Sequence, residues 1–524
     1  MEVDRPAGRA GNQSAVWQTT GRYGGERLAS QGAESTARIE AQGRTRPGTD
    51  PDCIPARKSG RPTVSVHALG CKANLEEMEC LLSQLEDAGY EVVPFGRPAD
   101  WTVVNTCTVT TAADSDSRQF LRRAQRAGGR VVATGCLAQR HPEALAAIDG
   151  VAWVVGNQEK PSLAQWILDA DRGAPSTEDA PAVPRIRVDA DPTLRTFASY
   201  GGGTEGRRTR ATLKIQDGCD EHCTFCVIPQ VRGASRSRPL DRTLEEARRL
   251  VGSGYREIAL TGINTALWGR DLIPERSLPD LLDALATVPD LLRLRLNSLE
   301  PQYVEPSWID RLARHPQLCR HLHLPLQSGD ATVLKRMNRR YDPVRYAAVV
   351  ESAVRAIPEL AVGADVLVGF PGETDAQFES TRAFLASLPQ AYLHVFSYSE
   401  RPDTPAPRLG DEVPVEERKR RSSTLRQLGG ALRRRYFERL RGTVQRVLPE
   451  GPAGDAHWQG LTDNYIRVRF PWTGSTPPPH RLLRVRIEPT GAATMSGTLI
   501  DDELQGDPSG APSASEPVRE GSPS

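Results

Sequence analysis

Cys219, Cys223 and Cys226 fall within eight residues of one another in "DGCDEHCTFCVIP" (217–229). A structural zinc wants four ligands in a closed tetrahedron, and cubane iron–sulfur clusters are usually held by four thiolates. Three thiolates leave one iron open to an external ligand, which suits a reactive cluster better than a structural one. The run follows the strand-like "ATLKIQ", and sites on barrels of strand–helix units gather at the carboxyl ends of the strands. The alternative is a zinc site in which His222 completes the set. A second triplet is scattered: Cys71 ends "TVSVHALGC", Cys107 ends "WTVVNTC" and Cys136 ends "RVVATGC". Each follows an apolar strand-like run. Carboxyl ends in a parallel sheet share one edge, and ligands bind outside that edge, so three distant cysteines can form one site. Their alternative role is as small buried hydrophobes, which is also how Cys80, beside apolar helix residues, and Cys319, before a strand, are read.

The elements that position these residues fall into three regions. Residues 62–170 alternate short apolar strands with helical patterns, and "NLEEMECLLSQLEDAG" spaces Leu75, Met78, Leu82 and Leu85 along one face. That is the pattern of a parallel α/β sheet. A Pro-, Gly- and Asp-rich stretch, 171–208, reads as a linker. Residues 209–440 carry six strand-then-helix units, with strands "ATLKIQ", "EIALTG", "LLRLRLNS", "HLHLPLQ", "ADVLVGF" and "YLHVFSYS", which predicts a partly open barrel. Residues 441–500 hold short strand-like runs ("GTVQRVLP", "NYIRVRF", "LLRVRIEP") split by Gly and Pro, as in a small β-barrel. The flanks, 1–60 (with Cys53) and 503–524, lack apolar periodicity and read as disordered.

Lys plus Arg (67) nearly balances Asp plus Glu (66), so affinity for a polyanion must come from local patches. No apolar run suits a secretory signal or a membrane span, which predicts a soluble, cytoplasmic protein without a membrane partner. Nine cysteines, an odd number over a long chain, point to metal or redox chemistry rather than a disulfide framework.

The run "GCDEHCTFCVIPQVRG", with "HLHLPLQSG" and "ADVLVGFPGET", resembles the methylthiotransferase branch of the radical S-adenosylmethionine superfamily. The resemblance spans about 62–500. It implies that Cys219, Cys223 and Cys226 hold a [4Fe–4S] cluster whose open iron chelates S-adenosylmethionine, cleaved to methionine and a 5′-deoxyadenosyl radical. It puts Phe225 near the adenine, and Gln327, Ser328 and Gly369 in the cofactor pocket. From the residues alone, Gln327 and Ser328 also read as turn chemistry and Gly369 as close packing. The first region resembles the family's amino-terminal domain, of flavodoxin-like α/β fold, in which Cys71, Cys107 and Cys136 would hold an auxiliary [4Fe–4S] cluster. The second resembles the partial (β/α)6 radical barrel, and the last, with "GLTDNYIRVRF", the RNA-binding TRAM domain.

The chemistry this implies is insertion of sulfur at an unactivated aromatic carbon, C2 of adenine, where acid–base catalysis has no acidic proton or leaving group to act on. The cofactors carry that step and the protein orients. Candidate RNA contacts are Arg118, Arg122, Arg123 and Arg126, and the runs "RKRR" (418–421) and "RRR" (433–435), which read equally as solvated helix faces, and Tyr465, Arg467 and Arg469, whose alternation on a strand also fits an ordinary barrel surface. Within the family, "ALGCKAN" with Lys72 resembles the branch acting on N6-threonylcarbamoyladenosine, 3′ of the tRNA anticodon. "NTCTVT", "TGCLAQ" and "LHVFSYSERPDTPA" agree, whereas Asn264 and Asp403 depart from that branch's common His and Gly. Implied partners are the tRNA anticodon stem-loop and a reductant protein such as a flavodoxin or ferredoxin. Alternatives are a methylthiotransferase acting on isopentenyladenosine or on a ribosomal protein aspartate, and, in another class, a non-catalytic iron–sulfur RNA-binding or electron-transfer protein.

Overall fold

The computed structural model describes residues 60–172, 185–189, 197–198, 209–454, 456–472, 481–490 and 495–500. The flanks read as disordered, including Cys53, lie outside the described residues apart from Gly60, as does most of 171–208.

The first region forms six parallel strands: β1 (Thr63–Ala68), β2 (Glu91–Val92), β3 (Trp101–Thr106), β4 (Arg130–Gly135), β5 (Val151–Val155) and β6 (Ile186–Arg187). Their order is β2-β1-β3-β4-β5-β6, the doubly wound arrangement with its reversal at β1/β3. The strands read as continuous apolar runs because both faces are covered. Val64, Val66, Trp101 and Val103 pack on one side with Met78, Leu82 and Leu85, and Val104, Val131 and Ala133 on the other with Leu121. β6 lies inside the stretch read as linker, where two residues suffice to pair with Val154 and Val155.

The barrel strands are β7 (Ala211–Lys214), β10 (Glu257–Thr261), β11 (Arg293–Leu296), β12 (His321–His323), β13 (Ala361–Val368) and β14 (Tyr392–Ser397), with a short antiparallel pair, β8 (Gln216–Asp217) and β9 (Arg236–Ser237), beside the first. Two three-stranded sheets, β7-β10-β11 and β12-β13-β14, are bridged at Leu294 and Leu318. The six strands thus make an open arc. Leu213, Ile258, Leu260, Leu294, Leu322, Val362, Ala364 and Val395 join the core packed by the helices. Strand alternation turns the intervening residues, Lys214, Glu257, Arg295, His323, Asp365 and His394, toward the interior. The lumen is therefore polar.

The last region closes into a five-stranded barrel, β15 (Val444–Pro452), β16 (His457–Thr462), β17 (Arg467–Pro471), β18 (Leu483–Pro489) and β19 (Met495–Leu499), in the order β15-β16-β17-β19-β18. Its core of Val447, Val468, Phe470, Val485 and Ile487 runs on into Ala361, Ala391 and Tyr392 at the start of β13 and β14. Arg293 and Arg295 at β11 donate to the backbone carbonyls of Arg446 and Thr462, at 2.6 and 3.1 Å. No helix among the described residues is long and apolar enough to cross a membrane.

Candidate active site

The scattered cysteines meet at the carboxyl edge of the first sheet, beside the β1/β3 reversal. Gly70, at φ +89°, sits so close to Cys107 that a Cβ there would lie 2.8 Å from its Sγ; only glycine fits both the backbone and the contact. Cys71 follows at the amino end of the helix Lys72–Asp87. Cys136 opens the helix Cys136–Arg140 after Gly135, which is pressed against Asn105 and Thr106. The loop at Cys107 is tied by Ser117, which accepts from the Cys107 amide at 3.1 Å and donates to its carbonyl at 3.0 Å. The thiols bear on one another: burial, then Cys136 and Cys71, push the Cys107 thiol up to about 12. Burial also raises Cys136, against which Arg232 and Lys160 pull down.

The second triplet lies in the loop between β8 and β9. The Cys219 amide donates to Gly233 O (3.0 Å) and the Cys226 amide to Cys223 O (3.1 Å). Thr224 anchors the loop to the barrel through Met337 O (3.1 Å) and Ala406 N (2.8 Å). Burial raises all three thiols, Cys226 to about 12. Arg339 counters this at Cys223, donating to its Sγ at 3.3 Å, while pairing with Glu300 and Tyr341.

Within each triplet the thiols stand near enough to influence one another. Thiolates on one tetrahedral zinc lie about 3.8 Å apart, given Zn–S near 2.3 Å. Among the described residues, the one trio of His, Cys or carboxylate ligand atoms all within 4.8 Å is His323, Asp365 and His394. Neither cysteine triplet, with or without His222, closes that tightly, whereas thiolates on separate irons of a cubane stand farther apart.

The other residues anticipated in the cofactor pocket gather at the same barrel end. Phe225 meets Phe370 edge-on, centroids 6.4 Å apart, next to Gly369. Gly369 has φ +71° and lies against Arg418, where a Cβ would come within 2.3 Å of Cγ; its amide donates to Glu373. Gln327, at φ +66°, pairs its backbone with Asp365 O and Leu367 N. The Ser328 hydroxyl faces that of Thr381 at 3.2 Å and accepts from the Asp330 amide. For Ser328 and Gly369 the structure displays turn and packing roles.

Sequence reasoning missed the lumen cluster. His323 Nε2 and His394 Nδ1 lie 3.1 and 3.3 Å from the Asp365 carboxylate, on three adjacent strands. The polar positions alternating through "HLHLPLQ" and "YLHVFSYS" were its available signal. Lys72 donates to Asn297 Oδ1 at 2.5 Å and stands 5.9 Å from the Tyr465 ring. Tyr465 itself is not on a strand: it sits at φ +64° in the turn before β17, its ring 4.5 Å from that of His321. The "RKRR" run is likewise not a free basic patch. Arg418 and Arg421 are buried, bound to Val413 O and to Glu373, and Lys419 and Arg420 pair with Glu416 and Glu417. Arg122, Arg123, Arg126, Arg434, Arg467 and Arg469 are exposed.

Residues 213–385 match the Radical SAM superfamily and residues 63–156 match "Uncharacterized protein family UPF0004". The chain is 37% identical over 452 residues to threonylcarbamoyladenosine tRNA methylthiotransferase MtaB of Bacillus subtilis, covering 84% of this chain and 98% of that protein. The chain belongs to the radical S-adenosylmethionine tRNA methylthiotransferase family. A tRNA-2-methylthio-N(6)-dimethylallyladenosine synthase of Sorangium cellulosum is 34% identical, covering 77% of this chain and 86% of that one. Among solved structures, the radical S-adenosylmethionine methyltransferase TsrM of Kitasatospora setae shares the fold, with TM-score 0.50 and 18% identity over 66% of this chain and 77% of that one. As a radical methylthiotransferase, the protein uses S-adenosylmethionine and [4Fe–4S] clusters, and its substrate is tRNA.

Proposed function

We propose that this methylthiotransferase acts in the cytoplasm on N6-threonylcarbamoyladenosine, in the anticodon stem-loop of tRNA 3′ of the anticodon, placing a methylthio group at C2. Cys219, Cys223 and Cys226 hold the radical cluster, with Phe225, Gln327, Ser328 and Gly369 around S-adenosylmethionine. Cys71, Cys107 and Cys136 hold the auxiliary cluster. Bound there, these groups supply the radical that activates the carbon and the sulfur that is transferred. A flavodoxin or ferredoxin supplies electrons.

The observation that carries the substrate is Lys72. It adjoins Cys71, and its ammonium is bonded to the neutral amide of Asn297. Among the described residues no carboxylate lies within ion-pair distance of it. Burial pulls its pKa down, so a carboxylate arriving with the substrate is stabilised there, and threonylcarbamoyladenosine brings one. The Bacillus subtilis relative supports the same reading. The dimethylallyladenosine synthase of Sorangium cellulosum favours an isoprenoid substrate as the second reading, but an isoprenoid would leave Lys72 without a counter-charge.

Mass spectrometry of tRNA nucleosides from cells with and without the gene tests this. The methylthio derivative of threonylcarbamoyladenosine is expected to disappear with the gene. In vitro, tRNA carrying isopentenyladenosine is expected to stay unmodified, and Lys72→Met to raise KM for the threonylcarbamoyl substrate about tenfold, a loss near 1.4 kcal/mol. Modification of the isoprenoid form alone would overturn the substrate assignment.

A further inference from the structure

Arg232 stands between the two cysteine sites. It ends the helix Ile228–Arg232, six residues past Cys226, and the carbonyl of its neighbour Gly233 receives the Cys219 amide at 3.0 Å. Its guanidinium crosses to the first domain. Nη1 donates to Glu77 (3.0 Å) and Asp217 (2.9 Å), and Nη2 to Asn74 Oδ1. The side chain is 1% exposed; among the described residues its Nε–H has no nitrogen or oxygen partner, and its guanidinium lies within hydrogen-bond reach of the Cys136 thiol.

The charges around it do not balance. Among the described residues, Lys160, Arg232 and Arg236 share two carboxylates, Glu77 and Asp217, with Lys214, all at most 4% exposed, and these three cations alone outnumber the two acids. Glu76, the next buried carboxylate on the helix, offsets little, because burial raises its pKa to about 7. A buried surplus of this kind is expensive unless an anion completes it. Arg232 bears on both Cys136 and Cys71, and Lys160 on Cys136. A [4Fe–4S] core on three thiolates is an anion, and hydrogen bonds to its sulfurs tune its potential.

We propose that Arg232 is a positioning residue for the auxiliary cluster: its Nε–H donates to a cluster sulfur, its charge balances the anion, and its backbone fixes the radical-cluster loop alongside. This rests on the reading that Cys71, Cys107 and Cys136 are ligands. It makes one residue of the radical domain a working part of the other domain's metal site.

The test uses full-length protein with Cys219, Cys223 and Cys226 replaced by Ala, reconstituted anaerobically with iron and sulfide, so that only the auxiliary site is filled. With 15N-labelled arginine, pulsed electron paramagnetic resonance of the reduced protein is expected to show one weak 15N coupling and one exchangeable proton. Arg232→Lys in the same background is expected to lose the 15N coupling and to shift the midpoint potential to a more negative value, because the charge is kept but the hydrogen bond to the cluster sulfur, which favours the reduced form, is removed. A loaded cluster with no arginine coupling overturns the proposal and leaves the ligand reading intact. Absence of iron from this background overturns the ligand reading and the proposal together. The labelling measurement requires no change at Arg232, so it decides even if Arg232→Lys does not fold.

Discussion

Glu77, on the helix that follows Cys71, accepts a hydrogen bond at 2.8 Å from Lys214 on the first barrel strand, with both side chains about 1% exposed. The same carboxylate also takes Lys160 at 2.5 Å and Arg232 at 3.0 Å. One acid thus holds three buried cations from two domains, and opposing charges keep its pKa well below the usual range despite burial.

Removing that charge leaves the cations uncompensated. Glu77→Gln is expected to destabilise the metal-free protein by about 3–5 kcal/mol, read as a lower denaturant midpoint. A change under 1 kcal/mol would mean the network is not the domain clamp described here.

Glu76 gives a pH signature of opposite sign. Burial raises its pKa to about 7, and among the described residues its Oε2 has no partner, so the folded protein binds this proton more tightly than the unfolded chain does. Its contribution to stability falls as pH rises from about 4.5 to 7 and is level above that, amounting to at most about 3 kcal/mol. Glu76→Gln is therefore expected to melt like the parent near pH 4.5 and above it at pH 8. Parallel melting curves across that range would refute the assignment.

The two cysteine triplets should load independently. Reconstituted protein is expected to hold about eight irons, and each triple Cys→Ala variant about four, with sulfide in equal amount. The variant at Cys71, Cys107 and Cys136 is expected to keep reductive cleavage of S-adenosylmethionine and to lose methylthio transfer. One zinc and no sulfide in the parent would end the cluster reading.

On the small barrel, Arg469 on β17 and Arg484 on β18 alternate outward while Val468 and Val485 fill the core. Replacing each with Ala is expected to weaken binding of all tRNAs alike and to lower the slope of log affinity against log salt by about 1. An unchanged slope would place the RNA elsewhere.

The six barrel strands, and the places of the six cysteines at strand ends and in one short loop, were legible because each rests on local pattern: alternation, strand ends and short spacing. The helix after Cys71 was half legible. Met78, Leu82 and Leu85 face the sheet as their spacing predicts, but Glu76, Glu77 and Glu79 are buried too, because Lys214, 137 residues later, covers the opposite side. β16 and β19 carry Gly and polar residues, and barrel closure rather than propensity makes them strands. The buried ends of "RKRR" could not be seen either, since the partners of Arg418 and Arg421 include Tyr398 O and Glu373 from other elements.

The helix Lys72–Asp87 is apolar toward its own sheet and acidic toward β7, which the ribosome makes much later. The first domain therefore emerges with Glu76, Glu77 and Glu79 in water and its three sheet-edge thiols open. Glu77 is covered only when the segment containing Lys214, Asp217 and Arg232 has been synthesised, the same segment that contains Cys219, Cys223 and Cys226. Maturation of the chain has an order written into it: the acidic face of that helix waits in water until the segment carrying the second cysteine triplet docks on it.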